Sequence, residues 1–243
     1  MEIINKFRRK VGITQSPAFP FRARHSLLSV IASADDEKSQ PSGRLLDLAL
    51  DAVKIARNLS MTKLSERMQR APYFPDVWPG EHYKLLAALV HVIQPKFVVE
   101  IGTATGLSAL ALKENLKPED SLVTFDIIPW KEFSDTVLRD SDFVGGRFRQ
   151  EIADLSNPEQ FKKFTSVLQK ADLIFVDGPK DGKFEQELLN QLYGIPMTQK
   201  PIVIFDDIRL WNMLKIWRDI SLPKLDLTSF GHWSGTGIVD WQK

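Results

Sequence analysis

From Phe97 to Asp206, short apolar runs alternate with segments of helical period, and this alternation constrains the fold more than any other feature of the chain. The runs 97–101, 121–126, 147–152, 172–177 and 201–206 predict strands. The stretches 106–115, 158–169, 182–193 and 209–219 predict helices, with a further helix at 131–139. Strands that alternate with helices pair in parallel, because each helix carries the chain back to the starting end of the sheet. The tail breaks the rhythm: 224–231 and 236–242 are both strand-like, with Ser234-Gly235 between them, and predict an antiparallel hairpin added to the sheet. The expected class is α/β, with helices on both faces of a mostly parallel sheet.

Upstream of the alternation, Leu45, Leu46, Leu48, Leu50, Val53 and Ile55 favour a helix, and a second is expected over 61–70. Tyr73-Phe74-Pro75 and Trp78-Pro79-Gly80 form an aromatic loop before a helix over 81–93, where Leu85, Leu86, Leu89, Val90 and Ile93 recur at helical spacing. Residues 34–43 read as a polar linker. Lys6, Arg8, Arg9, Lys10, Arg22 and Arg24 precede it, with Glu2 the only acid in that stretch. This is a basic, partly disordered leader, with a transit peptide as the alternative. The expected division is therefore a leader and linker over 1–43, a helical extension over 44–79 that acts as lid or interface, and a catalytic domain over 80–243.

Composition removes several classes of function. A formal charge of +1 gives no sign of nucleic-acid binding. The absence of cysteine rules out a disulfide scaffold, a thiol nucleophile and a thiolate zinc site. Four scattered histidines do not suggest a zinc cluster, so a metal here is expected to need oxygen ligands. No apolar run approaches the roughly 18–20 residues of a membrane-spanning helix, and the expectation is a cytoplasmic protein without membrane contact.

Three acids mark the ends of two predicted strands: Asp177 in Ile174-Phe-Val-Asp177-Gly-Pro-Lys180, and Asp206-Asp207 in Ile202-Val-Ile-Phe-Asp206-Asp207. All three fall at the carboxyl edge of the sheet, where open α/β folds bind ligands. Three oxygen donors converging there, with Lys180 close by, describe a hard-cation site with a base beside it. The alternative for the acids is helix capping or hydration, and for Lys180 an ordinary surface lysine.

A second signature is Glu100-Ile-Gly102-Thr103-Ala-Thr-Gly106-Leu-Ser108. Gly102 and Gly106 allow the backbone to turn tightly and approach a ligand, and the helix that follows presents free N–H groups. The spacing is neither the dinucleotide pattern nor a phosphate loop. Glu100 suits a cationic ligand group and repels phosphate. Asp126, at the end of the second strand, can accept hydrogen bonds from both ribose hydroxyls. Asp154 can reach an adenine amino group, or cap the helix that starts near Asn157-Pro158.

Taken together, Glu-Ile-Gly-Thr-Ala-Thr-Gly-Leu-Ser, Asp126, Phe-Val-Asp-Gly-Pro-Lys-Asp and Phe-Asp-Asp resemble the class I S-adenosylmethionine-dependent methyltransferases. More narrowly they resemble the cation-dependent O-methyltransferases of the catechol and caffeoyl-coenzyme A type, over roughly residues 80–243. The resemblance implies a Rossmann-like, seven-stranded sheet and S-adenosylmethionine as cofactor. Glu100, Gly102 and Ser108 then hold the methionine part of the cofactor, together with Thr103 and Gly106 of the same turn, and Asp126 holds the ribose. Asp177, Asp206 and Asp207 ligate a magnesium-like ion (Mg²⁺ or Mn²⁺, with Ca²⁺ a further candidate), and Lys180 is the general base. Asp207 stands where the two named types usually carry Asn, although sugar-directed relatives also use two acids. Pro179 departs from the Asp or Trp usual there, and Trp211 lies one residue beyond the substrate-side Trp of the plant-type motif.

The implied reaction moves a methyl group from a sulfonium to a small-molecule hydroxyl, with a vicinal diol or catechol as acceptor. A dication lowers the pKa of that hydroxyl, and a nearby amine takes its proton. His232 is an alternative base. Tyr73, Phe74, Trp78, Trp211 and Trp233 are candidates to wall an aromatic acceptor, though core packing is the commoner duty of each. Two other readings remain: a sugar or natural-product O-methyltransferase with the same metal site, and a catalytically silent protein that binds the cofactor. A homodimer is the family-like assembly.

Overall fold

The computed structural model describes residues 39–68 and 74–242 of the chain. The basic leader, residues 34–38 of the polar linker, the end of the 61–70 segment and Tyr73 lie outside the described residues. In chain order the described elements are α1 (Gly43–Ala56), α2 (Thr62–Ser65), α3 (Tyr83–Ile93), β1 (Phe97–Ile101), α4 (Leu107–Lys113), β2 (Ser121–Asp126), β3 (Phe148–Ile152), α5 (Pro158–Leu168), β4 (Leu173–Val176), α6 (Phe184–Tyr193), β5 (Ile202–Asp206), α7 (Trp211–Asp219), β6 (Lys224–Asp226) and β7 (Thr236–Asp240).

The strands form one seven-stranded sheet in the order β3-β2-β1-β4-β5-β7-β6. The first five pair in parallel, whereas β7 runs antiparallel to both β5 and β6. Alternation along each strand builds two cores. Val98, Leu122, Leu173, Phe175 and Ile204 face α1, α3 and α4, while Val99, Val123, Ile174, Val176 and Val203 face α5, α6 and α7. The chain order reverses between β1 and β4, and a crevice opens at that point beyond the carboxyl ends of the strands. Among the described residues no helix is long and apolar enough to cross a membrane.

Two expectations fail locally. Residues 131–139 do not form a helix: a 3₁₀ turn at Trp130–Glu132 gives way to irregular chain. Tertiary contacts take this segment over. Val137 donates its N–H to the Thr105 carbonyl (2.9 Å), Thr136 Oγ1 donates to the same oxygen, and Leu138 packs on the glycine turn. The strand expected over 224–231 is only Lys224–Asp226. There the Asp226 carboxylate accepts from the Thr228 N–H (2.9 Å) and starts a 3₁₀ turn at Thr228–Phe230.

Candidate active site

The crevice at the chain reversal is a cleft of about 470 Å³, a size suited to a nucleoside-type ligand. Gly102 from the end of β1, Asp126 from β2, Asp154 beyond β3 and Asp177 beyond β4 all line it. Gly102 has φ +106°, and a side chain at this position would collide with the Asp177 carbonyl oxygen, so only glycine lets β1 and β4 close up here. Asp126 accepts from the Ala104 N–H (2.9 Å) and the Ile128 N–H (3.1 Å), which orients its carboxylate along the cleft and leaves each oxygen one lone pair. Asp154 accepts from the Ser156 N–H and hydroxyl. It does not cap α5, because Asn157 does so through Glu159 and Gln160, and the capping alternative for Asp154 is thereby corrected.

The rest of the predicted cofactor set lies beneath the turn rather than along the cleft. Glu100, Thr103 and Ser108 are buried. Glu100 Oε2 accepts from the Thr124 hydroxyl (2.6 Å), and that hydroxyl pairs in turn with Thr103 (2.7 Å). Gly106 has φ +87° and lies under Leu138. Burial raises the Glu100 pKa to about 8, against the pull of the neighbouring Ser108 and Thr124 hydroxyls. Its second oxygen, Oε1, is buried without a hydrogen-bond partner. An orphaned acceptor next to a glycine-walled cleft fits a cofactor that carries a cationic amine.

Asp177 belongs to a second group as well. The ligand atoms of His82, Asp177 and Asp206 lie within 4.8 Å of one another, as do those of Asp206, Asp207 and His232, and those of Glu81, His82 and His232. Asp206, at the end of β5, is buried and shared by two of these sets. The three predicted metal acids are thus gathered at one edge, with two imidazoles added to them. His232 Nδ1 sits 3.2 Å from Asp207 Oδ1 and 3.6 Å from Asp206 Oδ1, and its Nε2 contacts Glu81 Oε2 at 2.5 Å. The Ser234 hydroxyl bridges Asp207 and His232 Nδ1. A cluster of carboxylates and imidazoles is a donor set that fits a divalent cation.

Lys180 lies among these acids. Its φ of +59° folds the loop so that Nζ hydrogen-bonds Asp177, reaches the Gly178 carbonyl (3.0 Å) and approaches Asp207 Oδ2 (3.3 Å). Glu185, fully buried, holds the same loop by accepting from the Lys180 N–H (2.8 Å). Burial pulls the Lys180 pKa down, but the Asp177 charge and hydrogen bond outweigh it and the net shift is upward. The lowered pKa expected of a base is therefore not a property of the cation-free geometry. Burial and the neighbouring Asp206 raise Asp177, while Asp206, despite its burial, is held low by His82. Asp207 is also held low against burial, by His232 and Ser234.

The expected substrate residues are not brought together. His232 joins the acid cluster. Trp78 packs, partly buried, against the core of α1 and α3. Trp211 opens α7 and is 87% exposed, although its neighbour Asn212 donates to the Lys180 carbonyl (3.2 Å). Trp233 is likewise exposed. Two residues that sequence reasoning missed are Glu81 and His82, just ahead of α3; their adjacent acid and imidazole were the only available signal.

Residues 99–208 match the family model of a methyltransferase domain. The resemblance to class I methyltransferases is borne out over that stretch. In structure it is similar to an S-adenosylhomocysteine-bound methyltransferase from Podospora anserina, at 18% identity over 95% of this chain and 100% of that one, with a TM-score of 0.49. It is also similar to a methyltransferase from Geobacter sulfurreducens (14% identity, 95% and 100% covered, TM-score 0.48). A third likeness is to an O-methyltransferase from Streptomyces achromogenes that is involved in tomaymycin synthesis and bound to S-adenosylmethionine (15% identity, 91% and 95% covered, TM-score 0.45). No curated protein matches the chain in sequence.

Proposed function

We propose that this protein is an S-adenosylmethionine-dependent O-methyltransferase whose acceptor is a small molecule with adjacent hydroxyls, held beside a divalent cation. One observation carries the reading: Asp177 lines the cofactor-sized cleft and also belongs to the carboxylate–imidazole cluster. A cofactor in the cleft and a cation in the cluster are thereby neighbours across a single residue. The match of residues 99–208 to a methyltransferase domain supports the same assignment.

In this reading Asp126 binds the ribose hydroxyls, Asp154 lies at the adenine end, and the Gly102 turn admits the methionine part with Glu100 beneath it. The cofactor supplies an electrophilic methyl group, and a cation among Asp177, Asp206 and Asp207 supplies Lewis acidity to an acceptor hydroxyl. The protein's own part is to hold the acceptor oxygen in line with the methyl group and to receive its proton. Positioning of this kind can lower a barrier by roughly 7–11 kcal/mol in good intramolecular cases. Lys180 is the proposed proton acceptor. Its ammonium is stabilised by Asp177 and Asp207, so a cation that neutralises those acids moves its pKa toward the range a base needs. Residues 80–243 are the proposed catalytic domain, with 44–79 as an extension docked on it.

A second reading, a catalytically silent cofactor-binding protein, is favoured by the same lysine, because an ammonium between two carboxylates satisfies them without a metal. Two measurements separate the readings. Metal-stripped protein should bind S-adenosylhomocysteine, and should bind one Mn²⁺ in a way that Asp206→Ala abolishes. Methyl transfer should then be assayed against catechols and glycosides, with Lys180→Ala lowering turnover at least about a hundredfold. Cofactor binding with no cation and no transfer to either class would favour the silent reading. Failure to bind the cofactor would overturn both.

A further inference from the structure

The His82 ring lies just ahead of α3, among Tyr83, Phe175 and His232, and the residue is only 4% exposed. Neither of its nitrogens has a hydrogen-bond partner, and neither has Asp206 Oδ1, which is also buried. Yet His82 Nδ1 and Asp206 Oδ1 stand only 3.2 Å apart. A buried histidine–aspartate pair that existed for its own stability would align the N–H with the oxygen, since buried polar atoms are seldom left unpaired. Here the two atoms stand at ion-pair distance without meeting full hydrogen-bond geometry. The imidazole nitrogen and the carboxylate oxygen lie side by side as potential metal ligands, and Asp177 completes their group within 4.8 Å.

We propose that His82 supplies an imidazole nitrogen to the cation held by Asp177 and Asp206, making this a mixed nitrogen–oxygen centre for a transition-metal dication such as Mn²⁺, Fe²⁺ or Zn²⁺. The inference rests on the cation half of the proposed function. The distances suit it: metal bonds of about 2.0–2.2 Å place adjacent ligand atoms roughly 3.0–3.4 Å apart, and the His82–Asp206 separation falls inside that span. The ligand chemistry suits it as well, because imidazole selects borderline transition metals, whereas Mg²⁺ and Ca²⁺ prefer oxygen alone. His232 is a poorer ligand in this geometry. Its Nδ1 pairs with the Ser234 hydroxyl and its Nε2 with Glu81, so both nitrogens already have partners. The Lys180 ammonium contacts Asp177 and Asp207 and leaves the His82–Asp206 pair as it is.

The test is pulsed electron paramagnetic resonance on the metal-stripped full chain loaded with Mn²⁺. The expected result is one bound ion with ¹⁴N modulation of its spin echo. That modulation should change to the ¹⁵N pattern when only the histidines are labelled, which requires no substitution. It should be lost in His82→Gln, with Mn²⁺ affinity down at least about tenfold, and kept in His232→Gln. Zn²⁺ should displace the bound Mn²⁺ at concentrations where Mg²⁺ does not. Should His82→Gln fail to fold, labelled wild type and labelled His232→Gln together still decide the assignment. Bound Mn²⁺ without nitrogen modulation, or modulation lost with His232→Gln, overturns the role of His82 and leaves the carboxylate site standing. No Mn²⁺ binding overturns this inference together with the cation half of the proposed function, while S-adenosylhomocysteine binding measured in parallel judges the cofactor half separately.

Discussion

Glu100 is a carboxyl group enclosed by β1, with one oxygen bonded to Thr124 and the other to nothing. Its ordinary pKa of 4.5 rises to about 8 in the fold because burial penalises the charged form. The sign of the linkage follows: the folded state holds this proton more tightly than the unfolded chain does. Stability is therefore undiminished below about pH 4.5, falls as pH rises toward 8, and levels off above it. Glu100→Gln removes the ionisation but keeps an acceptor for Thr124. We expect the variant's melting temperature, without cofactor, to exceed that of wild type by a margin that widens from pH 6 to pH 8, alongside weakened S-adenosylhomocysteine binding. A margin independent of pH would mean that Glu100 is solvated and charged in the native protein. The acid itself was legible in the sequence, since a strand that ends in a carboxylate before a glycine turn can be read directly. His82 and Glu81 were not. They precede the first strand and come to Asp206 and His232 only because α3 packs across the sheet, a placement that spacing along the chain does not encode.

At the scale of elements, the parallel strands were readable because each is a short apolar run whose two faces are both covered, so β1 and β2 coincide with their expected bounds. The stretch 131–139 was misread because its apolar residues serve tertiary contacts instead of a helical face. Leu138 covers the glycine turn, and the chain then enters a 3₁₀ turn at Asp140–Phe143 whose Asp142 is buried. Arg67, just beyond α2, meets Asp142 with two hydrogen bonds of 2.7 and 3.0 Å and ties that segment to the N-terminal helices. Burial opposes the Asp142 charge, but Arg67 outweighs it and holds the carboxyl below its usual range. Arg67→Ala would leave a buried carboxylate with its backbone partner at Arg139 and little else nearby apart from Lys113. We expect a loss of about 2–3 kcal/mol at neutral pH, read from urea unfolding. Because the folded pKa is depressed, the deficit should shrink as acid protonates Asp142, below roughly pH 4. Equal unfolding midpoints for the two proteins at pH 7 would show that the pair contributes nothing to holding this segment.

For the molecule as a whole, the question is whether the N-terminal helix and the sheet unfold as one body. Asp240, at the end of β7 and fully buried, accepts from Arg44 Nη1 (2.6 Å) and the Ser42 hydroxyl (2.8 Å), while the Ser42 oxygen caps α1 by accepting from the Leu45 N–H. Leu45, Ala49, Ala52 and Ala56 complete the same core as α3 and one face of the sheet. Neither arrangement suits an independent lid, and both predict a single transition reported alike by probes on α1 and on the sheet. The cleft lies where the strand order reverses, with β1 and β2 on one side and β4 and α6 on the other, so a ligand there braces both halves of that body. Binding only to the native state at a hundred times its dissociation constant adds about 2.7 kcal/mol. In a protein of this size each kcal/mol moves the melting temperature by roughly 2–4 °C, so saturating S-adenosylhomocysteine should raise it by about 5–10 °C without splitting the transition. Asp206→Ala should keep most of that shift, because Asp206 belongs to the cation cluster and does not line the cleft, whereas Asp126→Ala should lose it. Two separated transitions would show that α1 is not part of the cooperative unit. The reverse pattern, with Asp126→Ala retaining the shift, would move the ligand out of the cleft and withdraw the roles assigned to the residues lining it.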